Sequence, residues 1–260
     1  MTRRIVSLVP SLTETICSFD LKDELVGCTS FCIEPKGLHR TASVIGGPKD
    51  PDLNLIEDLN PTHILVNREE NQSHHIEGCE TIASTFSCLP KSPEDVPELL
   101  GAMGDFLEVP SRADPYVEAS KRLINQLLEL KRVNKDPFFS KQFLYFIWRE
   151  PYMLASSDTF ISRMLELVGF QNVSPIDKRY PSVSIDEIAG CGPELIFFSS
   201  EPYPFRRRDA ERLQSEWQGT PPIVKLDGQL LSWYGTKTVE ALEQLYAWAS
   251  AKPQHLVEWR

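Results

Sequence analysis

The chain has 260 residues, with 27 Lys and Arg against 37 Asp and Glu and a formal charge of −10. A pI near 5.1 excludes a surface built for nucleic acid or anionic lipid, and no apolar run reaches the roughly 18 residues of a membrane span. A composition of 41% hydrophobic and 25% charged residues is that of a globular protein able to bury one large core or two lobes.

At the N-terminus, Ile5 to Val9 is a short apolar run ended by Pro10, which reads as a first strand rather than a secretory leader. The six cysteines (Cys17, Cys28, Cys32, Cys79, Cys88, Cys191) lack the spacing of a disulfide framework. Reduced thiols and a cytoplasmic location are the expectation, with a periplasmic protein whose leader has been removed as the alternative.

Strand-like and helical patterns alternate, which predicts an α/β architecture with largely parallel pairing. An approximate duplication runs through it. The strand Ile5 to Val9, a Pro-containing loop and a helix from Ser11 lead to Asp23-Glu24-Leu25-Val26-Gly27. The strand Phe143 to Trp148, a loop at Pro151 and a helix from Asp158 lead to Leu165-Glu166-Leu167-Val168-Gly169. In the second half of each copy a short helix stops before a Pro and a buried strand follows: Leu55 to Pro61 before Ile64-Leu65-Val66, and Ser184 to Pro193 before Leu195 to Phe198. These strands run into acidic polar loops, Asn67 to Glu70 and Ser199 to Glu201.

Between the copies, Leu99, Leu100, Met103 and Phe106 form one stripe before a break at Pro110. From Pro115 to Val133, apolar residues recur at helical spacing, which predicts a rod of roughly 30 Å. The expected organisation is an α/β lobe over 1–110, a linking helix over 111–136 and a second α/β lobe over 137–260. A rigid helix in the linking position implies limited hinge motion.

Arg4 to Glu14, Val26-Gly27, Gly46-Gly47-Pro48, Leu53 to Pro61, Phe143 to Trp148, Pro151-Tyr152, Phe160 to Asn172, Tyr180 to Ser184 and Trp233 to Lys237 resemble the class III periplasmic-type binding proteins. These helical-backbone metal receptors include B12-binding, iron-siderophore and haem receptors. The resemblance covers nearly the whole chain and implies two Rossmann-like lobes with central parallel sheets. It implies a non-catalytic protein of the ABC-transporter substrate-binding type, holding a corrinoid or other metal chelate in the cleft between its lobes. No cofactor is then required, the chelate being the ligand. An enzyme using the same cleft on a tetrapyrrole or other cofactor is the alternative.

No phosphate loop, zinc-protease helix or nucleophile elbow is present in the sequence. His63 reads as a structural residue at the start of a buried strand. His74, His75 and Cys79 lack visible further ligands for a metal, and Cys28 and Cys32 read as ordinary buried thiols. Ser11 to Glu14 and Ser184 to Glu187 have capping-box spacing; a helix start after a strand also offers free amides to an anionic group. Aromatics at loops and strand ends suit a large conjugated ring. Candidate ligand contacts are Ser11, Phe31, Pro48 and Arg68 in the first lobe, with Trp148, Arg149, Tyr152, Tyr180, Trp233 and Tyr234 in the second half of the chain. Phe31 and Tyr180 match positions where, by the resemblance, the family places aromatics against its ligand. The resemblance also implies a permease that reads one carboxylate on each lobe. Asp186 supplies one and Asn54 stands where the other belongs, so productive docking is not expected.

Overall fold

A computed structural model describes residues 3–134, 136–251 and 258–259. The chain divides into two compact units. The first holds the chain up to Pro90, then Asp95–Lys121 and Trp233–Val239; the second holds Lys91–Glu94, Arg122–Ser232 and the chain from Glu240 onward. No composition shift in the sequence signals that 233–239 joins the first unit.

The first unit carries β1 (Ile5–Ser7), α1 (Pro10–Ser18), β2 (Leu25–Cys28), β3 (Ser43–Val44), α2 (Leu53–Asp58), β4 (His63–Asn67), α3 (Ser73–Ile82), β5 (Ser84–Cys88) and α4 (Val96–Phe106). Its five strands lie in the order β3-β2-β1-β4-β5, all parallel. Ile5, Val6, Ile64, Leu65 and Val66 are fully buried, as helices on both faces of a parallel sheet require. His63 sits at the edge of this core, edge-on to Phe106 with ring centroids 5.0 Å apart, in the structural role its position suggests.

Helix α5 (Pro110–Val133) passes from the first unit into the second. It begins at Pro110, five residues earlier than periodicity suggests, and carries Pro115 inside it. Pro110 suits a first turn, where its missing N–H would have no acceptor. Arg112 fixes this start by donating to the carbonyls of Phe19 (2.9 Å) and Asp20 (2.8 Å).

The second unit carries β6 (Gln142–Arg149), β7 (Tyr152–Ala155), α6 (Phe160–Glu166), β8 (Gln171–Asn172), α7 (Ile185–Gly190), β9 (Leu195–Ser199), α8 (Arg207–Glu216), β10 (Ile223–Leu226), α9 (Gly228–Ser232), α10 (Lys237–Ser250) and β11 (Glu258–Trp259). Its strand order is β11-β10-β9-β6-β7, with β8 also on β6. Helix α10 starts within the first unit's last segment and belongs to the second from Glu240. Side chains alternate across β6: Leu144 and Phe146 join the cluster of Ile196, Phe198, Phe205 and Leu213, while Phe143 meets Phe170 and Phe197 on the other face.

The duplication is visible in the pairing. β1 lies between β2 and β4, and β6 lies between β8 and β9, all parallel. Two strands depart from the parallel expectation, since β7 and β11 pair antiparallel. Tyr152 therefore opens a hairpin strand rather than lying in a loop.

The two capping boxes come out differently. Ser184 and Glu187 form the reciprocal pair that starts α7. Ser11 and Glu14 do not, because Pro10 occupies the first turn and moves the start of α1 back to Val9, which has no capping side chain. Ser11 lies inside the helix, and Glu14 accepts instead from Ser18 (2.8 Å) and Thr236 (2.6 Å).

Candidate functional site

In an open α/β sheet, ligands gather beyond the carboxyl ends of the strands where the strand order reverses. In the first unit that point lies between β1 and β4. Strand β4 ends in a built turn: Asn67 Oδ1 accepts from the amides of Glu69 (2.7 Å) and Glu70 (3.1 Å). Asn71 Nδ2 donates to the Pro48 carbonyl (2.8 Å) and Asn71 Oδ1 accepts from the Asn67 amide (2.8 Å). Pro48 is thus joined to the β4 turn through its backbone. Lys49 Nζ caps the Glu69 carbonyl at 2.7 Å, and Arg68 is exposed.

The segment 233–239 closes over the same end of the sheet. Tyr234 Oη donates to Glu70 Oε1 at 3.2 Å, and the Thr236 amide donates to Thr15 Oγ1 at 3.2 Å. Gly235 has φ +93, and a Cβ there would run into the Thr15 hydroxyl. Only glycine meets both demands. Burial pushes the Glu70 carboxyl up to about 7, against the opposing hydrogen bond from Tyr234. Burial also raises the Tyr234 phenol well above its ordinary value, with Ser11 and Glu70 both beside it. Ser11, Trp233 and Tyr234 are buried, so the two aromatics are built into the wall and do not stand out as stacking faces.

Phe31 does stand out. It is 63% exposed, on the turn that follows β2, and its ring borders Gly47 in the loop that also holds Pro48.

In the second unit the order reverses between β6 and β9. Trp148, 40% exposed, lies at the carboxyl end of β6 and meets Tyr203 edge-on at 5.6 Å. The Arg149 guanidinium lies 5.8 Å from the Tyr203 ring centre and pairs with the buried Asp209 at 2.7 Å and with Glu150 at 2.9 Å. The chain of charges continues from Glu150 to Arg212 (2.8 Å), to Glu216 (2.7 Å) and to the Tyr152 hydroxyl, which donates to Glu216 at 2.9 Å. Arg149 and Tyr152 are therefore members of one polar lattice, and the Arg212 guanidinium holds the Glu216 carboxyl below its ordinary range.

Tyr180 is 39% exposed but lies elsewhere. Its flanking residues bond the outer edge of β7, Leu154 N–H donating to the Pro181 carbonyl (3.0 Å) and Ser156 N–H to the Arg179 carbonyl (2.9 Å). Ala155, between them, pairs with Tyr145 in the middle of β6. The structure thus brings Trp148 and Arg149 together and sets Tyr180 on the flank. Tyr203 and Asp209 take places at the second unit's reversal point that sequence reading did not assign. The loop Glu201 to Phe205 was the available signal for Tyr203, through its two aromatics between prolines.

On α3, the His74 and His75 rings lie 3.9 Å apart and Cys79 is buried. Among the described residues no three His, Cys, Asp or Glu side chains gather as a metal set. Asp52 caps α2, its carboxylate accepting from the amides of Asn54 (3.0 Å) and Leu55 (3.1 Å), and Asp186 is exposed at the first turn of α7.

A family model described as periplasmic binding protein matches residues 5–223. The chain is 23% identical over 249 residues to a vitamin B12-binding protein of Photorhabdus laumondii, covering 93% of this chain and 86% of that protein. It is 23% identical over 262 residues to an uncharacterized ABC transporter substrate-binding lipoprotein of Bacillus subtilis, covering 94% and 78%. Among solved structures, the periplasmic B12-binding protein of Vibrio cholerae superposes with a TM-score of 0.76 at 18% identity, over 95% and 96% of the two chains. A periplasmic heme-binding protein of Roseiflexus sp. RS-1 gives 0.77 at 17% identity, over 96% and 98%. With its two α/β units, its long helix and a match over most of its length, the chain belongs to the periplasmic binding protein family.

Proposed function

We propose that this family member binds a corrinoid or another large metal chelate, without chemical turnover, through side chains at the carboxyl ends of its two sheets. The observation that carries this reading is the pair of large aromatics left exposed at such positions, Phe31 and Trp148. Burying an aromatic face is favourable by about 25 cal/mol per Å², and stacking adds roughly 0.5–1.5 kcal/mol. A flat conjugated ligand collects both. The B12-binding and heme-binding relatives support the same class of ligand. The exposed Arg68 is the cation offered to a ligand carboxylate in the first unit, whereas Arg149 acts by holding the Trp148–Tyr203 wall. Ser11, Pro48, Tyr152, Trp233 and Tyr234 serve as wall and support, and Tyr180 is a peripheral contact.

Membership of a periplasmic family supports an extracytoplasmic place of work over the cytoplasmic one expected from the sequence. It also supports a permease partner, which would read Asp186 on the second lobe and find Asn54 on the first.

The test is to mix the purified chain with hydroxocobalamin and, separately, with hemin, recording absorption spectra and the mass of the recovered ligand. A saturable spectral change with at least one probe, and that probe recovered unaltered, is the expected result. No spectral change with either probe, or a chemically altered product, would overturn the reading.

A further inference from the structure

The Asp209 side chain is 1% exposed, and its carboxylate is the meeting point of three donors. Oδ1 accepts from Arg149 Nη1 at 2.7 Å and from the Tyr203 hydroxyl at 3.3 Å, while Oδ2 accepts from the Arg206 amide at 2.7 Å. One buried carboxylate thus ties together the end of β6, the loop after β9 and the start of α8. The consequence falls on Arg149. Its Nη2 donates to Glu150 at 2.9 Å, and its Nε is shut away from solvent. Each guanidinium nitrogen is therefore paired with a carboxylate or buried. Glu150 and Glu216 in turn hold Arg212. The guanidinium carbon of Arg149 lies 5.8 Å from the Tyr203 ring centre, within cation–π reach. Tyr203 meets Trp148 and Phe205 edge-on, at 5.6 and 4.8 Å. Arg206, Arg207 and Arg208 are exposed at the start of α8, and Arg207 pairs with Glu211 at 3.3 Å.

An arginine next to an exposed aromatic at a sheet end is the usual way to take a carboxylate. Here its charge is already matched from within. We propose that Asp209 sets the ligand preference of this end of the second unit. By fixing Arg149 beside the Tyr203 ring with its charge matched, it makes the Trp148–Tyr203 corner a neutral contact for an amide-bearing chelate rather than a carboxylate site. Being buried, Asp209 acts through Arg149 and Tyr203, as a positioning residue. The inference rests on the reading that the carboxyl ends of the sheets take a large chelate. Specificity here is a difference of affinities, obtained by denying a carboxylate its partner. Asp209→Asn keeps the size of the side chain but leaves Arg149 with Glu150, which Arg212 also claims.

The experiment titrates the wild-type chain, Asp209→Asn, and Asp209→Asn combined with Arg149→Gln, using hydroxocobalamin, whose ring edge carries amides, and hemin, which carries two carboxylates. Asp209→Asn should move the ratio of the two affinities toward hemin by at least about 5-fold, the order of one charge-assisted hydrogen bond. A merely structural loss weakens both probes together. The combined variant removes both charges of the pair, and should weaken both probes without moving their ratio. An unmoved ratio in Asp209→Asn, or a selective loss of hemin in the combined variant, would overturn the proposal; the second result stands even where Asp209→Asn fails to fold. Phenylglyoxal, an arginine reagent, tests the same point on the wild-type chain with no ligand present. Peptide mapping should find Arg149 unmodified while the exposed Arg68 and Arg208 react. Modification of Arg149 at their rate would also overturn the proposal. Binding of neither probe, with Arg149 protected, would fault the chelate reading while the masking of Arg149 stands.

Discussion

Burial raises the Glu70 carboxyl to about 7 while Tyr234 donates to it from 164 residues further along the chain. A group whose folded pKa lies above its ordinary 4.5 binds its proton more tightly in the folded state. Its stabilising share is complete below pH 4.5 and is lost as pH rises through about 7. Tyr234, Glu69, Lys49 and Cys32 are the ionisable neighbours that bear on it, and it in turn acts on Cys88. Glu70→Gln should therefore flatten the fall in stability between those pH values, measured by urea unfolding at several pH values. An unchanged pH profile would show that Glu70 is hydrated and ordinary. Gly235→Ala must adopt a left-handed backbone and meet the Thr15 hydroxyl. A cost of at least about 1–3 kcal/mol is expected, and a variant as stable as the parent would contradict that close approach.

The elements themselves show which parts of the fold are local chemistry. Ser184 and Glu187 cap α7 as their spacing dictates because both partners lie within one turn. Ser184→Ala should cost about 0.5–2 kcal/mol in thermal or urea unfolding, whereas Ser11→Ala should show no capping loss. Equal effects on helix stability would contradict the assignment of Val9 as the cap of α1. The Ser11 box was misread because spacing alone does not register that Pro10 starts the helix first. The strands were legible where both faces are buried, as in Ile64 to Val66 and Leu195 to Phe198. β7 was not, because its signal is a four-residue run held by a tight return from β6. The site was only partly legible for the same reason. Phe31 and Trp148 could be named as exposed aromatics near strand ends, but the Arg149–Asp209 and Tyr234–Glu70 contacts join residues 60 and 164 positions apart. No local pattern encodes such pairs.

At the scale of the whole molecule, the duplicated pairing places comparable sheet ends in both units, and large aromatics stand at each. The proposed permease partner would read one carboxylate on each lobe, so its docking would depend on charge. A secreted form of this chain should rescue ligand uptake poorly in cells lacking their own B12 receptor, and Asn54→Asp should improve it, since truncating one partner of a charge pair costs about 2–5 kcal/mol when buried. Robust rescue with Asn54 unchanged would contradict that expectation. The central claim, a flat chelate held by aromatic side chains, is tested most directly by equilibrium titration of the wild-type, Phe31→Ala and Trp148→Ala chains with whichever of hydroxocobalamin and hemin binds. Each substitution should weaken binding by about 1–3 kcal/mol, roughly 5- to 150-fold, with Tyr180→Ala close to wild type. Unchanged affinity in both Phe31→Ala and Trp148→Ala would contradict the account.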